Sequence, residues 1–144
     1  MTNYPNLAEA EARFLRLRDR EPELSQAWET VVRSRAVLGD QRNLLVTAEA
    51  ALSEAEEVWT AIQARQLQRN DDAHVASVAW HRANTAVRVA SASMEAARAA
   101  VDRAERDERH AEAEFERVRE SIPSVRRAWQ EIIAVKNELR DRTP

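Results

Sequence analysis

The chain contains no cysteine, one glycine and four prolines among its 144 residues. Without cysteine it forms neither disulfides nor thiolate metal sites. So few glycines and prolines leave few places for turns, whereas Ala, Glu, Arg and Leu, which favour helix, are abundant. The composition therefore predicts an all-α fold, an antiparallel helical bundle or coiled coil with long helices.

Long apolar runs and an excess of either charge are also missing. No stretch approaches the roughly 18 apolar residues of a membrane span, and the N-terminus lacks the basic and apolar parts of a signal peptide. The net charge is −3, and the 33% of charged residues mix both signs, as on a solvated helical surface. We therefore expect a cytoplasmic or virion protein whose partners include neither a membrane nor nucleic acid.

Residues that carry chemistry are scarce. There is no glycine-rich phosphate loop and no serine in the setting of a catalytic nucleophile. Asp71 with His74, and Asp107 with His110, have the one-turn spacing of a metal-ligand pair, but the facing helix offers no evident acidic residue to complete a site. The sequence thus predicts no enzyme activity, no cofactor and no metal site.

A heptad pattern of apolar residues runs in one phase from residue 76 to residue 139, with two polar exceptions. A second heptad covers residues 7–38 and contains Pro22, where we expect a kink or brief break rather than a reversal. Gly39 predicts the end of that helix, and Asp40 can cap the next one. The resulting helices are about 7–38, 41–69, 73–120 and 123–142, with a turn at 70–72; the last two helices could also be one kinked helix.

Residues 10–38 and 111–139 resemble each other. They align without a gap and share ten identical positions, among them a Phe, a Pro and a Trp, which are scarce residues here. A shared heptad alone would not place these three residues in common register, so we infer an internal duplication.

The duplication predicts a particular organisation. Residues 1–104 would form a three-helix bundle core, and residues 105–144 a helical arm that repeats the first helix. This outline is similar to spectrin-type three-helix repeats, in which one helix runs on into the next repeat; the likeness concerns topology and implies no spectrin function. Alternatively, Pro123 reverses the chain and residues 123–142 fold back as a fourth bundle helix.

If the arm projects, its apolar seam has no partner within the chain. A continuous row of large apolar side chains gains free energy when it is buried, so we expect the exposed seam to bind another chain. The predicted interface consists of these residues: Phe115, Val118, Ile122, Val125, Trp129, Ile132 and Leu139.

These observations predict a non-enzymatic coiled-coil structural or assembly protein that self-associates through its heptad seams into a homo-oligomer. The near-exclusive use of Arg over Lys is typical of GC-rich coding, as in some bacteria and their phages, so a phage virion or scaffolding component is one candidate role. The alternative is a helical adaptor or regulator that binds a different helical protein through the 111–139 seam.

Overall fold

The structure, a computed structural model, describes the backbone of residues 7–68 and 73–142 and most of their side chains. In this part of the chain there are four helices and no strands, so the all-α prediction is confirmed. The helices are α1 (Leu7–Arg20), α2 (Pro22–Gln68), α3 (Ala73–Ser121) and α4 (Pro123–Asp141). The turn predicted at 70–72 lies outside the described residues.

The chain divides into two compact units. The paired-repeat unit comprises the residues up to Arg35 together with those from Asp107 onward, and the two-helix unit is Ala36–Arg106. Each unit thus combines segments that are distant in sequence. Neither coincides with the predicted division between residues 104 and 105.

The helix end predicted at Gly39 is wrong, because α2 continues through Gly39 and Asp40 to Gln68. Gly costs about 1 kcal/mol relative to Ala inside a helix, which is too little to end one that is packed on both sides of it. Leu38 directly before Gly39 is buried with Val101 and Ala104, and Leu45 packs against the same cluster. Tertiary packing therefore overrides the local signal, and a separate helix beginning near residue 41 does not exist.

The breaks at the two prolines last one residue each. Around Pro22, the Glu21 amide donates to the Leu17 carbonyl (3.0 Å) and the Ser25 amide donates to the Glu21 carbonyl (2.9 Å), so the four-residue hydrogen-bond spacing of an α-helix is kept. The brief break predicted there is found. Ile122, with φ −99° and ψ 111°, separates α3 from α4, and its carbonyl accepts from the Arg126 amide. The last two helices are therefore distinct, as the four-helix prediction has them.

In the two-helix unit, α2 and α3 pair antiparallel, because contacts late in α2 fall early in α3. Leu38 packs with Val101 and Ala104, whereas Trp59 stacks against Trp80 with 5.0 Å between ring centroids. One helical turn after Leu38, Arg42 forms an ion pair with Glu105 (3.6 Å). The pairing buries one narrow stripe on each helix and leaves the other sides of both helices in solvent.

The Gly39→Ala substitution tests the continuity of α2. A Cβ at this position meets no atom within 4 Å, and the residue lies within α2. We expect the variant to be more stable by about 0.5–1 kcal/mol, because Gly costs more backbone entropy on folding than Ala. Urea denaturation followed by circular dichroism measures the difference. Ala36→Gly, also at an exposed position of α2, is the matched control and should lose a similar amount; destabilisation by Gly39→Ala would instead indicate a turn.

Candidate interaction surfaces

The predicted interface residues of the C-terminal repeat are packed within the chain. Val118, Val125 and Ile132 are buried in one cluster with α1 and the start of α2, and Phe115, Ile122 and Trp129 pack against it. Leu139 differs, since it is 48% exposed. The expectation that this seam lacks an in-chain partner is therefore wrong: α1 and the first turns of α2 cover it.

The aromatic side chains of this cluster contact each other reciprocally. Phe14 lies against Trp129 with 5.2 Å between ring centroids and 53° between ring planes. Trp28 lies against Phe115 with 5.3 Å and 56°. In the alignment of residues 10–38 with 111–139, Phe14 matches Phe115 and Trp28 matches Trp129. The Phe of each repeat thus contacts the Trp of the other in nearly the same geometry.

The charged side chains beside the two tryptophans follow the same rule. Arg18 lies over Trp28 at 5.0 Å, and the matching Arg119 lies over Trp129 at 4.2 Å. Each guanidinium also approaches the acidic residue that follows it, Asp19 or Glu120, at 3.5 Å. A cation over an indole face contributes about 0.5–1 kcal/mol where it is exposed and more where it is shielded from water. Both arginines shield the outer face of a partly buried Trp.

These pairs relate the two repeats by an approximate twofold axis. Leu24 and its match Val125 are both fully buried. Val31 and its match Ile132 are almost fully buried. The same antiparallel register places the two break residues, Glu21 and Ile122, at equivalent positions. The paired-repeat unit is consequently an isologous interface formed within one chain, in which one patch meets a second version of itself.

The two grooves that this symmetry creates have diverged in charge. One is lined by four arginines, with Glu131 as its only acid: Arg13, Arg16, Arg20 and Arg127. The equivalent groove is lined by two acids and one arginine: Glu23, Glu114 and Arg117. The duplicated framework is apolar and shared, whereas the solvated rims differ. The rims thus give the two ends of the unit different electrostatic surfaces.

Ion pairs in the paired-repeat unit lie at its surface. Arg13 binds Glu131 at 2.9 Å, linking α1 to α4, and Arg35 binds Glu112 at 3.0 Å with Glu108 at 3.9 Å. Exposed pairs of this kind contribute about 0–1 kcal/mol each and weaken with salt. They align the helices more than they stabilise them.

Glu114 and Arg117 form the one pair with resolved pKa shifts among the described residues. Hydrogen bonds from the Arg117 guanidinium lower the pKa of the Glu114 carboxyl, and the same contact raises the pKa of Arg117. Both side chains are exposed, so the effect on stability is small. A lowered carboxyl pKa stabilises the fold above the ordinary value near 4.5, and this contribution is lost as the pH falls through the lowered pKa.

The two-helix unit presents an apolar surface that the sequence analysis missed. Its buried or half-buried α2 positions alternate by three and four residues from Leu38 to Ile62. Starting from Leu38, every second seam position follows an apolar and exposed residue. These exposed residues are seven apart: Val37, Leu44, Ala51 and Val58. On α3 the corresponding positions are small and uncharged: Ala79, Ala86, Ser93 and Ala100. We call these eight positions the uncharged face. The helix end predicted at Gly39 concealed it, because the stripe on α2 is continuous only when the helix is.

Neither a metal centre nor a membrane-spanning segment emerges from the described residues. No three His, Asp or Glu side chains there lie close enough to hold an ion together, and Asp71 lies outside the described part. None of the described helices carries an apolar stretch sufficient for a membrane crossing. Comparison with protein-family models, with curated proteins and with solved structures finds no match for this chain.

Replacing either tryptophan by Ala tests the symmetry. Trp28→Ala and Trp129→Ala each remove one reciprocal ring contact from a partly buried site; the first also removes contacts with Arg18 and Arg35, and the second removes the contact with Arg119. We expect each variant to lose about 2–4 kcal/mol of unfolding free energy, and the two losses to agree within about 1 kcal/mol. Urea denaturation gives both values, and each variant is the matched control of the other. A neutral effect at one site would contradict the reciprocal packing.

The Glu114 contact can be tested by titration. Carboxyl resonances followed by NMR between pH 2 and pH 7, a range of about five units spanning ordinary carboxyl titration, should give Glu114 a pKa below 4.5. Arg117→Gln removes the donor and should raise that pKa towards the ordinary value. Arg126→Gln is the control, since it removes an equal charge from α4 without touching this contact. An unchanged pKa in Arg117→Gln would show that the hydrogen bond does not form in solution.

Proposed function

We propose that this chain is a non-enzymatic helical assembly protein that self-associates. The observation that carries the proposal is the uncharged face of the two-helix unit. Val37 is 45% exposed, Leu44 57% and Val58 54%, and they recur at heptad spacing along one edge of an antiparallel helix pair. Two helices bury only the stripe between them, so an additional apolar stripe is typical of helices that pack on a further partner.

The proposal assigns different tasks to the two units. The paired-repeat unit has its heptad seam filled from within the chain and acts as a closed structural element. The two-helix unit offers the surface for association. Self-association therefore takes place along α2 and α3 rather than through the seam of residues 111–139.

The alternative of an adaptor that captures another helical protein through the 111–139 seam receives less support. Its large side chains, Phe115, Ile132 and Trp129 among them, are packed in the chain's own core. A partner would have to displace α1 and forfeit the Phe14–Trp129 contact and the Arg13–Glu131 ion pair. A role in a phage virion or a scaffold stays a prediction from the composition.

Solution mass tests the proposed function. Light scattering coupled to gel filtration should give a mass that is a multiple of 16.4 kDa at micromolar concentration and that falls on dilution. A mass of one chain at every concentration up to about 100 μM, corresponding to an association weaker than about −5.5 kcal/mol, would contradict the proposal. Raised salt should leave the association intact, because the face that drives it carries no charge.

A further inference from the structure

The two edges of the helix pair in the two-helix unit differ in character. One edge carries the ion pair between Arg42 and Glu105, and along the same edge α2 continues with Glu49 and Glu56. In an antiparallel coiled coil, two positions of each heptad flank the seam: the one directly after the second seam residue and the one directly before the first. The former positions of both helices share one edge, and the latter positions share the other. The Arg42–Glu105 pair fixes the first edge, so the eight residues of the uncharged face lie together along the second.

Large and small residues are segregated across the uncharged face. The α2 stripe supplies Val37, Leu44 and Val58, and the α3 stripe supplies Ala79, Ala86 and Ala100. The antiparallel register, in which Leu38 packs with Val101 and Ala104 and Arg42 binds Glu105, brings Leu44 closest to the level of Ala100 and Val58 closest to that of Ala86. At these two levels the face offers one protruding side chain and one shallow position, whereas Ala51 and Ser93, which lie between them, are both small.

We infer that the occupant of this face is the same face of a second copy of the chain. This inference rests on the proposed self-association and names its surface. A twofold axis parallel to the helices brings α2 of one copy against α3 of the other, so that Leu44 and Val58 each meet a small residue at the same level. The product is a four-helix bundle with every neighbouring pair antiparallel.

The size of the face suits a stable dimer. From Val37 to Val58 the stripe is roughly 30 Å long at 1.5 Å per residue, and two helices side by side are about 20 Å wide. The footprint is about 600 Å² per copy, so a dimer would hide about 1,200 Å² in total, the lower end of the range for specific interfaces.

The absence of charge on the face also favours a second copy of the chain as its partner. Because none of the eight positions is charged, a partner that brings charged side chains to the face would bury them without a counter-ion. Elsewhere the described surface is rich in charged residues of both signs, whereas this face is uncharged along its length. The face itself therefore provides the matching surface.

Leu44→Glu tests which surface is used. Leu44 is 57% exposed within one chain, so the variant should remain helical by circular dichroism. Two glutamates would be buried per dimer, and we expect dimerisation to weaken by at least ~100-fold. The control is Val46→Glu: Val46 is 65% exposed on the same helix but lies off the face, so dimerisation should be unchanged.

If the parent chain is oligomeric and Leu44→Glu leaves its oligomeric state unchanged, this interface is wrong but the proposed function is not contradicted. A parent chain that is monomeric would overturn both. Equal losses in Leu44→Glu and Val46→Glu would also contradict the interface, since only one of the two residues lies on it.

Disulfide trapping tests the arrangement independently of stability. Because the chain has no cysteine, Leu44→Cys and Ala100→Cys can be prepared as separate single-cysteine proteins and mixed. Oxidation of the mixture should give a covalent dimer that contains one of each, and a mixture of Val46→Cys with Ala100→Cys should not. Preferential dimers of Leu44→Cys alone would overturn the proposed axis, because they require α2 to lie against α2 of the other copy.

Discussion

The packing of one repeat against the other is the contact on which the paired-repeat unit depends. α1 has 14 residues, and α4 has 19 and starts at a proline. Helices this short are marginal in water on their own, so tertiary contacts must hold them. Ala10, Leu24, Val125 and Ile132 close the space between the helices, and the two Phe–Trp contacts lie at either end. Removing one repeat would leave the apolar face of the other without cover.

Symmetry explains why the same few residue types recur in this core. An approximate twofold axis makes each contact between the repeats occur twice, so the same pair of residue types must fit at both places. Phe against Trp fits at both. Each proline supplies no amide at the start of its helix, where no intrahelical partner would be available in any case. The one-residue breaks thus recur at matching positions at little cost, while the hydrogen-bond spacing resumes at once on the far side.

Much of the fold could be predicted from the sequence, since scarcity of Gly and Pro, sustained heptads and the aligned Phe, Pro and Trp indicate helices and a repeat. Two errors have a common physical origin. A single Gly was given the weight of a helix end, although its cost is small beside the burial of Leu38. That false end supplied a third helix and left the C-terminal repeat without a partner. The reciprocal pairing could not be read from periodicity, because a heptad identifies which residues face a partner but not which segment the partner is.

Charge divergence between the repeats bears on why the pairing stays within one chain. If the C-terminal repeat paired with its own copy from another chain in the same register, the position of Arg13 would be taken by Glu114, which would then face Glu131. Two carboxylates would replace the Arg13–Glu131 ion pair, and the twofold axis would repeat the repulsion. Each contact is modest because it is exposed. The effect nonetheless favours the mixed pairing of the two repeats over the like pairing, which an apolar core of such symmetry would not distinguish by itself.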